Sequence, residues 1–322
     1  MLRAAPNSEM GASRLWATAA VFAVFLQLVA CNEKPATPAP SESGPRTFAT
    51  PGDAGSALLN AAKADDRNAL LAIFGANSAD LIFSGNEVQD KQTGENFTTA
   101  YQAMNRWRKQ TDGSEVLVVG PENHPFPVPL KQNSGGQWYF DIAAGKDEIL
   151  SRRIGENELA AIDVMAAMAD AQTQYIAQPR DGAKQYAQKF ISDEGKQDGL
   201  YWKSAEGQPR SPLGPGVALA STEGFNPQAG KQQPFHGYFY RVLTKQGADA
   251  KGGAKDYVVN GKMTGGFAFI AYPEKYGDTG IATFIINQNG VVYEKDLGKN
   301  TTEEAKAETV FNPDKTWTQV PD

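Results

Sequence analysis

The chain contains two histidines, His124 and His236, and they limit the acid–base chemistry that it can perform. The sequence has no Gly-x-Ser-x-Gly or Ser-x-x-Lys pattern, the spacings that are typical of activated serine nucleophiles. A serine–histidine–acid site would therefore have to use one of these two imidazoles. His236 is the better choice because Phe235, Tyr238 and Tyr240 lie beside it. We favour the simpler interpretation that His236 lies in a turn or at a strand edge, where it bonds to the backbone.

Residue spacing gives little support for metal or phosphate binding. There is no His-Glu-x-x-His pattern and no cysteine cluster. The oxygen-rich segment 256–261 lacks EF-hand spacing. Residues 252–255 lack the residue order of a phosphate-binding loop, and they precede a predicted strand rather than a helix. Turns explain both segments better, and we expect no metal and no cofactor.

The only cysteine, Cys31, follows an apolar stretch of 16 residues that begins at Leu15. A membrane-spanning helix needs about 20 apolar residues, so a signal peptide over residues 1–30 fits better. The segment Leu28-Val29-Ala30-Cys31 resembles the lipobox of bacterial lipoproteins, in which the thiol accepts a diacylglycerol. A lone thiol forms no internal disulfide, and lipidation explains why it is present.

The residues after Cys31 predict where the chain is held. An aspartate directly after the lipidated cysteine would resemble an inner-membrane retention signal, but this position is Asn32. We therefore expect the chain to be anchored in the outer membrane, with the folded part facing the periplasm. Residues 31–47 are rich in Pro, Ser, Ala and Glu and predict a flexible tether. Either Met1 or Met10 is the start of the leader.

Paired carboxylates are another route to hydrolysis, because glycan cleavage requires two of them across a cleft. Glu156 and Glu158 are two residues apart and would point to different sides of a helix. Asp147, Glu148 and Asp163 fit a solvated helix face. A hydrolase of an envelope polymer, using His236 and a nearby acid, is therefore an alternative function.

Aromatic residues form the candidate binding surface. They bracket a region rich in Gly and Pro at residues 192–234, and long connections of this kind often carry function. The residues of this surface are Tyr201, Trp202, Phe235, His236 and Tyr238. Core packing is the competing interpretation for about half of them.

Composition excludes one class of partner and indicates the number of domains. The net charge is −6, and no stretch is strongly basic, which argues against nucleic acid because phosphate binding needs clustered Lys and Arg. The length after the tether favours two domains, at residues 48–145 and 146–322.

The first of these domains should be helical and then stranded. Thr50 and Asp66 are suited to cap two helices, and a third helix is expected to carry Phe97, Tyr101, Met104 and Trp107 on one face. Strands are predicted at 115–119, 126–131 and 137–142. This order resembles the cone-like fold of nuclear transport factor 2. Such a cone could carry a small ligand in a pocket lined by aromatic residues such as Trp107 and Trp138, although aromatic core packing is the favoured interpretation.

The second domain should begin with a long helix over residues 146–176, which Gly155 could kink. A short helix is predicted at 183–190 and another after Ser211-Pro212. Strands follow at 237–244, 257–259, 266–272 and 281–287. Asn289-Gly290 is a strong turn signal before the last strand, at 291–294.

Four segments carry a resemblance to a known family: Arg153 to Leu159, Pro234 to Tyr238, Gly265 to Ala268, and Gly290 to Gly298. Together they look like the bacterial envelope family called domain of unknown function 2950, over nearly everything from Phe48 to Trp317. This resemblance implies no activity.

The long helix and the strands after it also resemble the globular part of pilin-like proteins. Gly237-Tyr238, Thr279-Gly280 and Asn289-Gly290-Val291 occupy comparable places. The helix is internal to the chain and lacks an exposed apolar assembly stem, so only the globular fold is expected. The combined expectation is an α+β lipoprotein with a cone-like first domain and a pilin-like second domain. We expect it to act as a non-enzymatic module that binds an envelope protein or glycan.

Overall fold

A computed structural model of the chain describes residues 44–180, 182–204, 207–226 and 232–321. The predicted leader, Cys31 and most of the tether lie outside these residues. The described residues belong to one compact unit and combine helices with sheets that are antiparallel except for one short pair. This arrangement confirms the α+β class.

Helices and strands are numbered here in chain order. The helices are α1 (Pro51–Lys63), α2 (Arg67–Phe74), α3 (Ala79–Ile82), α4 (Glu87–Ala103), α5 (Ile142–Ile176), α6 (Gly214–Thr222) and α7 (Thr301–Ala307). The strands of the first half are β1 (Asn105–Lys109), β2 (Glu115–Val119), β3 (His124–Pro125), β4 (Leu130–Gln132) and β5 (Trp138–Phe140). Those of the second half are β6 (Tyr238–Leu243), β7 (Lys245–Gln246), β8 (Lys255–Asp256), β9 (Val258–Val259), β10 (Lys262–Met263), β11 (Ala268–Pro273), β12 (Ala282–Asn287), β13 (Val292–Asp296), β14 (Val310–Phe311) and β15 (Thr318–Gln319).

Helices α1 and α2 begin where their capping residues predict. The Thr50 hydroxyl accepts a hydrogen bond from the Asp53 N–H at 3.1 Å, and the Asp53 carboxylate accepts one from the Thr50 N–H at 3.2 Å. This reciprocal pair satisfies two donors that the first turn leaves free. Asp66 caps α2 with a single bond, which its carboxylate accepts from the Ala69 N–H at 3.0 Å, and α2 ends at Gly75.

One predicted helix ends earlier than expected, and another does not form. Helix α4 ends at Ala103, and Trp107 lies on β1, opposite Leu117 of β2. The helical spacing of apolar residues runs past the true end of α4, where strand pairing takes over. Residues 183–190 form no helix, because their backbone bonds to distant partners. The Tyr186 N–H donates to Met263 O at 2.8 Å, and the Gln172 side chain bonds both backbone groups of Ala187 at 2.8 Å.

The first half of the chain has its own hydrophobic cluster. Its sheet has the order β1-β2-β4-β5, with β3 beside β2. Helices α1 and α2 pack against β5, and the cluster is centred on Phe74, Leu117, Leu130 and Phe140. The specific likeness to a nuclear-transport-factor cone stays a prediction.

Helix α5 is shared between the two halves. It is 35 residues long and continuous through Gly155, and Asp141 caps it through the Ala144 N–H at 3.1 Å. Ile149 packs against the first cluster, whereas Met165 and Met168 belong to the second. The predicted boundary after Gly145 therefore falls inside this helix, and the division into two domains stays a prediction. Among the described helices, none combines the length and apolar character needed to cross a membrane.

The second half is built on a sheet of order β15-β13-β12-β11-β6. All six residues of β11 are buried, as expected for a strand near the middle of a sheet that is covered on both faces. Helix α5 covers one face and α7 the other. Arg241 of β6 shows this placement, because its guanidinium donates to Ala305 O of α7, while Tyr240 and Val242 beside it point to the α5 side. The pilin-like assignment of this half stays a prediction.

Three side chains in the middle of α5 hold the loop that precedes β12. The Arg153 guanidinium bonds to the Asp278 carboxylate at 2.6 Å and to backbone carbonyls at the end of α3. Asn157 donates to Thr279 O at 2.9 Å. The Glu158 carboxylate accepts from the N–H groups of both Ile281 and Ala282 at 2.9 Å. The segment from Arg153 to Leu159 therefore connects α5 to the loop before β12 and to the end of α3.

Candidate functional site

The main candidate site is a cavity of about 640 Å³ beside strand β6. Helix α5, residues 188–193, helix α6 and residues 232–235 form its other walls. Its lining is mainly apolar and includes Val164, Met168, Phe190, Val217, Phe235 and Val242. A volume of this size lies within the range of small-molecule and side-chain binding pockets.

Helix α6 forms one wall because its two faces differ. Pro215 lies in the first turn, where a proline fits the helix. Val217 and Ala220 are buried and line the cavity, whereas Leu219 is 65% exposed on the opposite side. Gly216 also lines the cavity, and a Cβ atom at that position would meet nothing within 4 Å. The cavity-facing surface of α6 therefore has free space in front of it.

The rim of the cavity carries a cluster of ion pairs. Lys189 bonds to Asp193 and to Asp198, each at 2.8 Å, and Lys196 bonds to Asp193 at 3.1 Å. The hydrogen bonds from Lys189 and Lys196 lower the pKa of Asp193 to about 2. Asp193 is therefore ionised at any physiological pH, and its ion pairs connect Lys189 and Lys196 along the segment that forms this wall.

Two tyrosines of β6 differ in position, since Tyr240 lines the cavity and Tyr238 lies in the core. The Tyr240 hydroxyl donates to Phe235 O at 3.3 Å, and burial raises the pKa of Tyr240. Tyr238 is fully buried and donates to Ala282 O at 2.9 Å. Burial raises the pKa of Tyr238, and the nearby Glu158 carboxylate raises it further. Both phenols therefore stay neutral and serve as hydrogen-bond donors.

The five residues of the predicted binding surface do not all meet at this cavity. Phe235 lines it. Tyr201 pairs with Ile191 in an isolated bridge, and its N–H donates to Phe190 O at 2.7 Å. Trp202 is buried, with its indole N–H donating to Pro209 O at 3.1 Å. Tyr238 is in the core, as described above.

His236 lies in the turn before β6, with a positive φ of 48°. Its Nε2 is 3.1 Å from a carboxylate oxygen of Glu223 at the end of α6, and its ring lies 4.1 Å from that of Phe235. The hydrogen bonds found among the described residues bring no serine or threonine hydroxyl to His236. Its partner is thus a side chain, whereas the sequence had suggested the backbone.

Sequence reasoning missed most of the cavity walls. Phe190 was assigned to a helix that does not form, and Phe225 is an isolated aromatic residue in a region rich in Gly and Pro. The apolar surface of α6 was the one local signal, because Leu213, Val217 and Ala220 repeat at helical spacing. The side chains of α5 that complete the site come from another part of the sequence.

The first half of the chain is the alternative ligand site that the sequence suggested. Its aromatic side chains pack against one another, with ring centroids of Phe74 and Phe126 at 5.3 Å and 5.9 Å from that of Phe140. Trp107 and Trp138 are half-buried against the same cluster. In the part of the chain that the structure describes, no group of three or more His, Cys, Asp or Glu could hold a metal ion.

Residues 45–320 match the family described as "Protein of unknown function (DUF2950)". No curated protein and no solved structure matches the chain.

Proposed function

The chain belongs to the DUF2950 family, and we propose that it is a lipid-anchored envelope protein that binds a partner through the cavity beside β6. The observation that carries the binding part of this proposal is the apolar cavity of about 640 Å³. Apolar surface left open on a folded protein often marks a place where a partner binds. The anchor is Cys31, and the side of attachment is the outer membrane, with the folded part facing the periplasm.

The anchor is tested by comparing the natural chain with a Cys31→Ser variant in a bacterial host. Two lipid signals hold a protein stably on a membrane. The variant would lose both, because the Cys31 thiol carries the first lipid and cleavage before Cys31 exposes the amino group that carries the second. We expect the natural chain to sediment with outer-membrane fractions and to carry the mass of a lipidated cysteine. A natural chain of unmodified mass at Cys31 would refute the anchor.

The binding site is tested by photo-crosslinking in living cells. A photoreactive amino acid at Ala167 would face the cavity from α5, because Ala167 is both exposed and part of the lining. The matched control is Leu159 on the same helix, which is 68% exposed and outside the lining. We expect a discrete crosslinked product from position 167 that is absent from position 159.

A second pair of variants tests whether the cavity itself is needed. Gly216→Trp adds a large side chain on the cavity-facing surface of α6 without an immediate clash, and Ala218→Trp adds the same group to its exposed surface. Loss of the crosslink in the first variant alone would support the proposal. Equal crosslinking in both variants, or equal products from positions 167 and 159, would count against the cavity.

A hydrolase remains the second candidate because His236, which follows Phe235 of the cavity lining, lies 3.1 Å from the Glu223 carboxylate. A histidine next to a carboxylate can act as a general base. Released fragments of envelope glycan or peptide substrates would be measured for the natural chain and for His236→Ala. Turnover that disappears in the variant would favour the hydrolase, and the absence of turnover in the natural chain would remove it.

A further inference from the structure

Strand β6 forms one edge of its sheet, and β11 is its sheet neighbour. Tyr238 lies opposite Pro273 of β11, which has no N–H to donate. On the other side, Tyr238 exchanges both of its backbone hydrogen bonds with Phe235, at 2.9 and 3.1 Å. The backbone groups of Tyr238 therefore point away from β11. Along an antiparallel strand, residues whose backbone groups bond to the neighbouring strand alternate with residues whose groups point away from it. The backbone groups of Tyr240 and Val242 therefore point away from β11 as well.

The outer edge of β6 is occupied at both ends and open in the middle. Phe235 pairs with Tyr238, and the Tyr257 N–H donates to Thr244 O at 2.9 Å. Between them, the N–H and C=O groups of Tyr240 and Val242 find no hydrogen-bond partner among the described residues. The same two residues, with Arg241 between them, line the cavity. An open backbone edge thus runs directly along an apolar cavity.

We infer that this edge and the cavity together bind an extended polypeptide segment, which adds to β6 as a short strand. This inference rests on the proposed function, since it names the partner of the same cavity. The main chain of the segment would pair with Tyr240 and Val242, and its alternate side chains would enter the cavity. The open part of the β6 edge, which lies between the pairing sites of Phe235 and Thr244, is a window that limits the pairing to a few residues.

The chemistry of the edge favours a peptide over an acyl chain. An acyl chain could fill the apolar volume, but it would cover the backbone groups of Tyr240 and Val242 without bonding to them. A buried polar group that has lost its water and found no partner is costly. A peptide backbone supplies a donor and an acceptor at the spacing that the edge requires. Side chains that are small and β-branched, such as valine, suit both a strand and this cavity.

The probe is a fluorescein-labelled peptide of about seven residues, with valine at alternate positions and serine between them, which covers the window that β6 leaves open. It is compared with the same peptide N-methylated at the amides that would face β6. The full-length chain is reconstituted in phospholipid nanodiscs, and binding is followed by fluorescence anisotropy. We expect methylation to weaken binding at least about tenfold, because it removes donors while keeping the side chains.

Variants of the protein separate the edge from the cavity. Val242→Pro removes one of the two outward-pointing N–H groups, and proline is tolerated on an edge strand in this orientation. We expect it to weaken binding of the unmethylated peptide at least about fivefold, the effect of about one hydrogen bond. Gly216→Trp should abolish binding by filling the cavity, and Ala218→Trp should leave it unchanged.

The outcomes distinguish the two proposals. If both peptides bind equally well and Gly216→Trp abolishes both, strand addition is overturned while the cavity stands. If the peptide binds and Gly216→Trp has no effect, the cavity proposal itself is wrong. A peptide that does not bind at millimolar concentration overturns strand addition, and crosslinking at Ala167 still tests the cavity. The N-methylated peptide keeps the test valid if Val242→Pro does not fold.

Discussion

Replacing Arg153 with alanine should destabilise the whole fold, because this side chain connects the two halves of the chain. Its guanidinium bonds to Asp278 in the loop before β12 and to Asp80 O and Leu81 O in the last turn of α3. Those carbonyls belong to a helix end, where they have no partner within the helix. The Arg153 side chain is only 15% exposed, so water replaces these bonds poorly.

The magnitude follows from these contacts. A hydrogen bond to a charged group contributes about 1.5 kcal/mol, and two of them are made to carbonyls that are otherwise unsatisfied. The ion pair with Asp278 adds little, because that carboxylate is 32% exposed and is screened by solvent. We expect Arg153→Ala to lower the free energy of unfolding by about 3 kcal/mol. In a domain of this size that corresponds to a decrease in Tm of roughly 8 °C.

The assay is urea unfolding followed by tryptophan fluorescence, with Tm from differential scanning calorimetry. Arg152→Ala is the matched control, because Arg152 is 39% exposed, so water can replace both its pair with Glu148 one turn away and its hydrogen bond to Pro125 O. The Arg152→Ala substitution should lower the free energy of unfolding by less than about 1 kcal/mol. Arg153→Lys should recover only part of the loss, since an ammonium cannot bond several groups in one plane. Equal losses for the two alanine variants would refute the role given to Arg153.

Four further predictions concern single residues, each measured by the midpoint of urea unfolding, which for the last one is followed as a function of pH. Gly155→Ala should raise the free energy of unfolding by about 0.5–1 kcal/mol, because Gly155 is inside α5 with nothing within 4 Å of a new Cβ. Gly145→Ala on the same helix should lower the free energy of unfolding by about 1–3 kcal/mol, because the new Cβ atom would lie 2.8 Å from Pro127 O. A higher free energy of unfolding in this variant would contradict the packing described. His236→Val should cost about 1–3 kcal/mol because a β-branched residue fits a positive φ poorly, whereas His236→Asn should be nearly neutral. The pKa of Asp193 is lowered from 3.8 to about 2, so its ion pairs stabilise the fold above pH 4 and lose that effect as the pH falls toward 2. The Asp193→Asn variant should lack this part of the acid dependence of the free energy of unfolding. An unchanged acid profile in the variant would show that the cluster is not coupled to folding.

Elements with local chemical signals could be predicted from the sequence. Thr50 with Asp53 and Asp66 with Gly75 mark the ends of α1 and α2 through bonds to neighbouring residues. The turn at Asn289-Gly290 precedes β13 for the same kind of reason. In each case the residues that decide the conformation lie within a few positions of one another.

Features decided by distant contacts could not be predicted. Residues 183–190 contain nothing that forbids a helix, and their bonds to distant partners such as Met263 and Gln172 hold them in another conformation. The cavity brings together α5, α6 and β6, which are tens of residues apart in the chain. The role of Arg153 is of this kind too. The sequence marked its segment as characteristic of a family, but the partners of Arg153 lie 70 residues or more away along the chain.

The sharing of α5 between two hydrophobic clusters has a consequence for the order in which the chain folds. Every member of the first cluster lies between Phe48 and Ile149, so this cluster can be complete before the residues of the second sheet are available. Its formation would hold the first turns of α5 in a helical state and remove the cost of nucleating the remainder. The later strands would then assemble on a template about 50 Å long that is already in place. Folding from the amino terminus onward would thus supply the second half with its longest element.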